Sequence, residues 1–126
     1  MADHAPLPAA LLAQARPHPA GFADLPVAAA AAHLAAFRVV DVREPSEFTG
    51  PLGHVDGAEL LPLSTVPDLA EELAAETRPV LLVCRSGGRS AHAAAYLAQE
   101  GGTDLFNLAG GMLAWNEAGL PVVHGA

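Results

Sequence analysis

Cys84 is the only cysteine in a chain of 126 residues. It stands between an apolar run and a cluster of glycines, serines and arginines. The run Val80-Leu81-Leu82-Val83, bounded by Pro79, reads as a strand buried on both faces. Arg85, Ser86, Gly87, Gly88 and Arg89 follow, and a helical pattern opens at Ser90. This order sets a thiol at the carboxyl end of a strand, before a helix N-terminus, where open α/β sheets bind ligands. The chemistry it suits is nucleophilic attack by sulfur. A thiol attacks as thiolate, and a free cysteine has a pKa near 8.5. Ionisation at neutral pH needs a shift of about 2 units, or about 2.7 kcal/mol. A helix N-terminus supplies up to ~2 kcal/mol, and each backbone N–H on a charged sulfur about 1.5 kcal/mol or more. Gly87 and Gly88 let those N–H groups turn inward with no Cβ in the way. Arg85 and Arg89 add positive charge, so the same loop suits an anionic substrate. A cysteine after an apolar strand is more often a small buried hydrophobe, but two arginines and two glycines are a poor continuation of a core.

The elements that position this loop are legible on either side. Phe37-Arg38-Val39-Val40-Asp41-Val42 reads as a second strand with Asp41 at its carboxyl end. If the two strands are parallel, Asp41 and Cys84 share one rim of a sheet. Before it, a helix opens at Asp24-Leu25-Pro26, with Val27, Ala30, Ala31 and Leu34 on one face and His33 off it. After it, Glu44-Pro45-Ser46-Glu47-Phe48 suits a short helix broken by Gly50-Pro51-Leu52-Gly53. Glu59-Leu60-Leu61 reads as a short strand. Thr65 opens a helix with Asp68 as a capping-box partner, an apolar face of Val66, Leu69, Ala70, Leu73 and Ala74, and a solvated side of Glu71, Glu72 and Glu76. From Ser90 the next helix carries Ala91, Ala94, Ala95 and Ala98 on one face, small enough to lie close to the sheet. It ends at Gly101-Gly102. Asp104 to Leu108 is the last strand. A helix from Gly110-Gly111 then runs through Met112 and Trp115 to Gly119, with Trp115 in the core.

Several segments together resemble the rhodanese domain, the sulfurtransferase family. They are Asp41-Val42-Arg43-Glu44 with Glu47-Phe48, Gly53-His54-Val55-Asp56-Gly57-Ala58, Cys84 to Ser90, and Leu108-Ala109-Gly110-Gly111-Met112-Leu113-Ala114-Trp115. The resemblance runs from about Phe22 to Val122. Asp56 stands where the family has proline, and the loop at residues 50–53 is longer than usual. The resemblance implies an α/β fold: a mostly parallel sheet of about five strands with helices on both faces. It implies a persulfide on Cys84, with Arg85, Ser86, Gly87, Gly88, Arg89 and Ser90 binding the donor. Arg85 is expected to face the pocket more than Arg89, which lies where the helix starts. Asp41 and Arg43 are assigned to support beneath the loop, and Met112 to the pocket rim. His54 is expected to fix its turn by hydrogen bonding rather than act as a base, and His92 to lie on the surface. The implied activity is thiosulfate sulfurtransfer to cyanide or a thiol, with a thioredoxin-like or desulfurase protein as partner. Two alternatives stand beside it. One is a carrier module that accepts sulfur from a desulfurase. The other is a phosphatase or arsenate reductase on the same scaffold, which the placement of Ser90 six residues beyond the cysteine, where Cys-x5-Arg enzymes have arginine, disfavours.

Composition bounds the rest. The length makes one domain, read as a proline-rich tail over 1–20 and a folded domain over 21–126. His4 and His18 in the tail read as solvated. Hydrophobic content is 52% and mean hydropathy +0.31, inflated by alanine. No apolar run approaches the ~20 residues of a membrane span. Met1 to Pro6 lacks the basic start of a signal peptide. With a single cysteine, these features point to a reducing, cytoplasmic location. A net charge of -8 argues against nucleic acid and anionic membranes as partners. The six histidines are scattered and Cys84 has no cysteine partner, so no metal is expected. Neither a G-x-G-x-x-G run nor a P-loop is present, so no nucleotide cofactor is expected.

Overall fold

The computed structural model describes residues 7–125; the expectations for His4 and for Met1 to Pro6 fall outside them. The chain forms a six-stranded sheet of β1 (Arg16–Pro17), β2 (Ala23–Leu25), β3 (Arg38–Asp41), β4 (Glu59–Leu60), β5 (Val80–Val83) and β6 (Leu105–Leu108). The strand order is β1-β2-β6-β5-β3-β4. All pairs are parallel except β1 with β2. Six α-helices among the described residues surround it: α1 (Ala9–Gln14), α2 (Val27–Ala32), α3 (Pro45–Phe48), α4 (Val66–Ala74), α5 (Gly88–Gln99) and α6 (Gly111–Glu117).

The central strands are short runs of branched and aliphatic residues, buried on both sides because helices cover both faces. Side-chain alternation divides the core. Leu81 and Val83 pack with Leu11, Leu25, Phe106, Met112 and Trp115 under α1, α2 and α6. Val80, Leu82 and Cys84 pack with Val40, Val42, Leu73, Ala94 and Leu97 under α4 and α5. Cys84 therefore lies on the α5 side of the sheet.

Several sequence expectations are corrected. Within the proline-rich stretch over 1–20, residues 9–17 fold onto the domain: Leu11 is fully buried and β1 pairs with β2. Ala23 to Leu25 is strand rather than helix, and α2 begins one residue after Pro26. Thr65 makes no side-chain cap; its hydroxyl donates to the Pro62 carbonyl. The capping box forms instead at Glu44 and Glu47, at the start of α3. Glu76 is half-buried between Arg38 and Arg78 rather than solvated. The buried face of α5 is Ser90, Ala93, Ala94 and Leu97. Among the described residues no helix is long and apolar enough to cross a membrane.

Candidate active site

The register places Asp41 of β3 opposite Val83 of β5, so Asp41 and Cys84 do share the carboxyl rim of the sheet. From Cys84 the chain turns through Arg85 and Ser86 to Gly87, whose φ of 102° is open to glycine at little cost. That turn lets α5 start at Gly88, two residues earlier than the sequence pattern indicates. Backbone N–H groups of Ser86, Gly87 and Ser90 face the sulfur. The Gly87 N–H donates to Cys84 Sγ at 3.0 Å, and the Ser90 hydroxyl lies 3.2 Å from it. Behind the loop, Met112 N–H donates to the Cys84 carbonyl and Leu113 N–H to the Arg85 carbonyl. This contact is close: a Cβ on Gly111 would lie 2.5 Å from both carbonyl oxygens.

Cys84 is only 1% exposed. Burial pushes its thiol up. The Ser90 hydroxyl and the N–H groups of Ser90, Gly87 and Ser86 act against burial, and the balance falls below the ordinary thiol value. The site thus favours a thiolate held by backbone donors at a helix N-terminus.

The neighbouring charges divide into three roles. Arg43 and Asp41 form a buried pair, with Nε to Oδ1 at 2.9 Å and Nη2 to Oδ2 at 2.8 Å. Arg43 also donates to the carbonyls of Glu47 and Gly53, so it braces β3 against the following loop. Arg89, in the first turn of α5, is held by Glu47 of α3. Arg85 is exposed and forms no ion pair among the described residues. With Arg43, Ser46, Glu47, Pro51 and Leu52 it lines a cleft of about 390 Å³.

The structure redistributes the sequence-assigned residues. Gly87 and Ser90 are buried against the sulfur, while Arg85, Ser86 and Gly88 are exposed around it. Arg89 is engaged by Glu47, because the helix start aims it at α3. Met112 is not at a rim: its side chain is fully buried with Trp115 and Leu108, because α6 turns that position to the core. His54 is buried, its Nδ1 lies 3.0 Å from the Phe48 carbonyl, and its ring stacks on Phe48 at 3.7 Å. It fixes the turn. His92 is exposed, beside a groove lined by Leu63, Val66, Pro67 and Tyr96. Among the described residues no three His, Cys, Asp or Glu side chains gather as a metal site would need.

Sequence reading passed over Asn107 and Asp24. Asn107 is buried on β6, accepts from Ser90 Oγ at 2.5 Å, and donates to Asp24 Oδ1 at 2.9 Å and to the Gly87 carbonyl at 3.2 Å. The available signal was an amide inside the apolar run Leu105 to Leu108, since a buried amide must find partners.

Comparison with known proteins decides the family. The rhodanese-like domain matches residues 26–118, within the stretch that carries the sequence resemblance. The chain belongs to the rhodanese-like family. A sulfurtransferase of Allochromatium vinosum is 41% identical over 85 residues, covering 68% of this chain and 77% of that protein. A thiosulfate sulfurtransferase, GlpE, of Shewanella oneidensis is 37% identical over 81 residues, 64% of this chain and 77% of that protein. An uncharacterized Bacillus subtilis protein, YqhL, is 41% identical over 78 residues, and the match spans 62% of this chain and 60% of that protein. A rhodanese-related protein of Thermoplasma volcanium superimposes with a TM-score of 0.73 at 29% identity, covering 81% of this chain and 98% of that one. The sulfurtransferase relatives support an enzyme of sulfur transfer at the level of the family, with Cys84 as the one thiol available to carry sulfur.

Proposed function

We propose that this rhodanese takes sulfane sulfur from thiosulfate. The Cys84 thiolate attacks the outer sulfur, a new S–S bond forms, the S–S bond of thiosulfate breaks, and sulfite leaves with its electron pair. The enzyme then holds Cys84 as a persulfide anion. A thiophile attacks the terminal sulfur and restores the thiolate: cyanide leaves as thiocyanate, and a thiol leaves as a new persulfide. This is covalent, two-stage nucleophilic catalysis. The observation that carries the reading is the cradle of Gly87 N–H and the Ser90 hydroxyl at the N-terminus of α5, which suits an anionic sulfur before and after transfer. In this reading Arg85, which lines the cleft, orients the donor's oxygens. Arg89 acts at one remove, because Glu47 holds it.

The proposed acceptor in the cell is a thiol, on a small molecule or a thioredoxin-like protein, and a desulfurase is the alternative donor. A free cysteine of this kind works in a reducing compartment, so the proposed location is the cytoplasm. The phosphatase-like alternative loses support, since Ser90 is buried on the sulfur and Arg89 is paired elsewhere.

Intact mass measured before thiosulfate, after thiosulfate and after cyanide tests the reading. The expected result is a gain of one sulfur atom on Cys84, lost again to cyanide. A thiol that alkylates readily yet gains no sulfur from thiosulfate, but gains it from a persulfide-loaded desulfurase, would replace the thiosulfate enzyme with a carrier.

A further inference from the structure

The Asn107 side chain can sit only one way round. Its Nδ2 faces a carboxylate oxygen of Asp24 at 2.9 Å and the Gly87 carbonyl at 3.2 Å. Both of these only accept, so both must meet the amide's N–H groups. The amide oxygen is thereby turned to Ser90, 2.5 Å from its hydroxyl oxygen. Two oxygens at that separation need a hydrogen between them, and only the hydroxyl has one to give. The same hydroxyl lies 3.2 Å from Cys84 Sγ. One hydrogen therefore has two competing acceptors.

From this we infer that Asn107, pinned by Asp24, is a positioning residue that sets whether Ser90 offers the sulfur of Cys84 a donor or an acceptor. While Cys84 is a thiol, the Ser90 hydrogen points to Asn107, and the S–H donates to a lone pair on Ser90 Oγ. When the sulfur becomes a thiolate, the hydroxyl turns and donates to it, giving up the amide oxygen. Asn107, held by Asp24, thus resists ionisation by competing for the Ser90 hydrogen, while the Ser90 hydroxyl and the Gly87 N–H favour it. The inference concerns the thiol itself and holds whichever donor supplies the sulfur. The charged groups on the elements packed around the loop are Arg89 with Glu47, Arg43 with Asp41, Arg85, and Asp24 itself. None of the first five is altered by the test.

The test is the pH profile of Cys84 alkylation by iodoacetamide, read by intact mass. Asn107→Leu keeps the volume and removes the competing acceptor, so the midpoint should fall by roughly half to one pH unit. Ser90→Ala removes the donor, so the midpoint should rise. Asn107→Leu added to Ser90→Ala should shift nothing further. A midpoint that rises or stays put in Asn107→Leu, or an equal fall in the Ser90→Ala background, overturns the assignment. Should Asn107→Leu fail to fold by near-UV circular dichroism, Asp24→Ala takes its place at a half-buried position. It leaves only the Gly87 carbonyl to hold the amide in place, so the amide oxygen's hold on the Ser90 hydrogen weakens, the midpoint falls, and most of that fall should vanish with Ser90→Ala. An undiminished fall would mean that Asp24 acts by charge alone, and would equally overturn it.

Discussion

Arg89 grips Glu47 through two parallel hydrogen bonds, 2.7 Å from Nη1 to Oε1 and 2.8 Å from Nη2 to Oε2. The pair ties the first turn of the cysteine helix α5 to the short helix α3. Glu47 also accepts the Glu44 N–H, so one carboxylate caps α3 and anchors α5.

This carboxyl is held down to about 2, chiefly by Arg89. A depressed folded value means stability that is present above the unfolded value near 4.5 and lost as pH falls toward 2. The pair is partly exposed, so its worth is about 1 kcal/mol at most. Glu47→Gln is expected to lower the melting temperature by about 3–5 °C at neutral pH. That gap should close as both proteins are melted at progressively lower pH. A gap that is constant with pH would show that Glu47 stabilises only by its cap and packing.

Arg85 is the guanidinium of the loop that has no carboxylate partner among the described residues. Arg85→Ala should raise KM for thiosulfate roughly tenfold, with kcat little changed, as expected from losing one charge-assisted hydrogen bond to the donor. For the parent protein, kcat/KM should fall as salt rises. Steady-state kinetics in a salt series checks both. A rise with salt would mean that the net charge of -8 governs approach instead.

The Cys84 thiol lies below its ordinary value despite burial. Alkylation should therefore show a midpoint below the ~8.5 of free cysteine. By linkage, the ionised sulfur contributes stability that is present above the unfolded value and is lost as pH falls through the folded one. Cys84→Ser should abolish sulfur uptake and alkylation together, and its stability should vary less with pH across that window. Sulfur uptake retained in the serine variant would end the mechanism.

Asp41 and Arg43 are 0% and 1% exposed. Removing one member strands the other charge, at a cost of roughly 3–5 kcal/mol. Asp41→Ala should thus unfold at much lower urea than the parent, with sulfur transfer lost alongside the fold. Comparing midpoint and slope in urea separates this from a local effect.

The cysteine loop and the strands that end at Asp41 and Cys84 were legible because each rests on local chemistry: an apolar run, a glycine turn, a strand end; that these strands run parallel and share a rim came with the family resemblance. What escaped depends on contacts distant in sequence. Leu11 looks unremarkable among prolines, since a six-residue helix shows little periodicity, yet it fills the core beside Leu25 and Trp115. Nothing local ties Arg89 to a glutamate 42 residues away. Asn107 meets Asp24 across 83 residues, through the parallel pairing of β2 with β6. Met112 followed a motif into the right helix but onto the wrong face.

The two outermost strands, β1 and β4, have two residues each. A sheet rim with free backbone groups invites another chain to add to it. On one side Pro17 has no N–H to offer, and only Arg16 stands beside it. On the other, Glu59 sets a charge at the margin, already engaged by Arg38. The strongly apolar β5 and β6 are thus confined to the middle of a ribbon too short at both margins to template growth. A protein that is 52% hydrophobic is built so that its most aggregation-prone strands never face an open edge while the fold is intact.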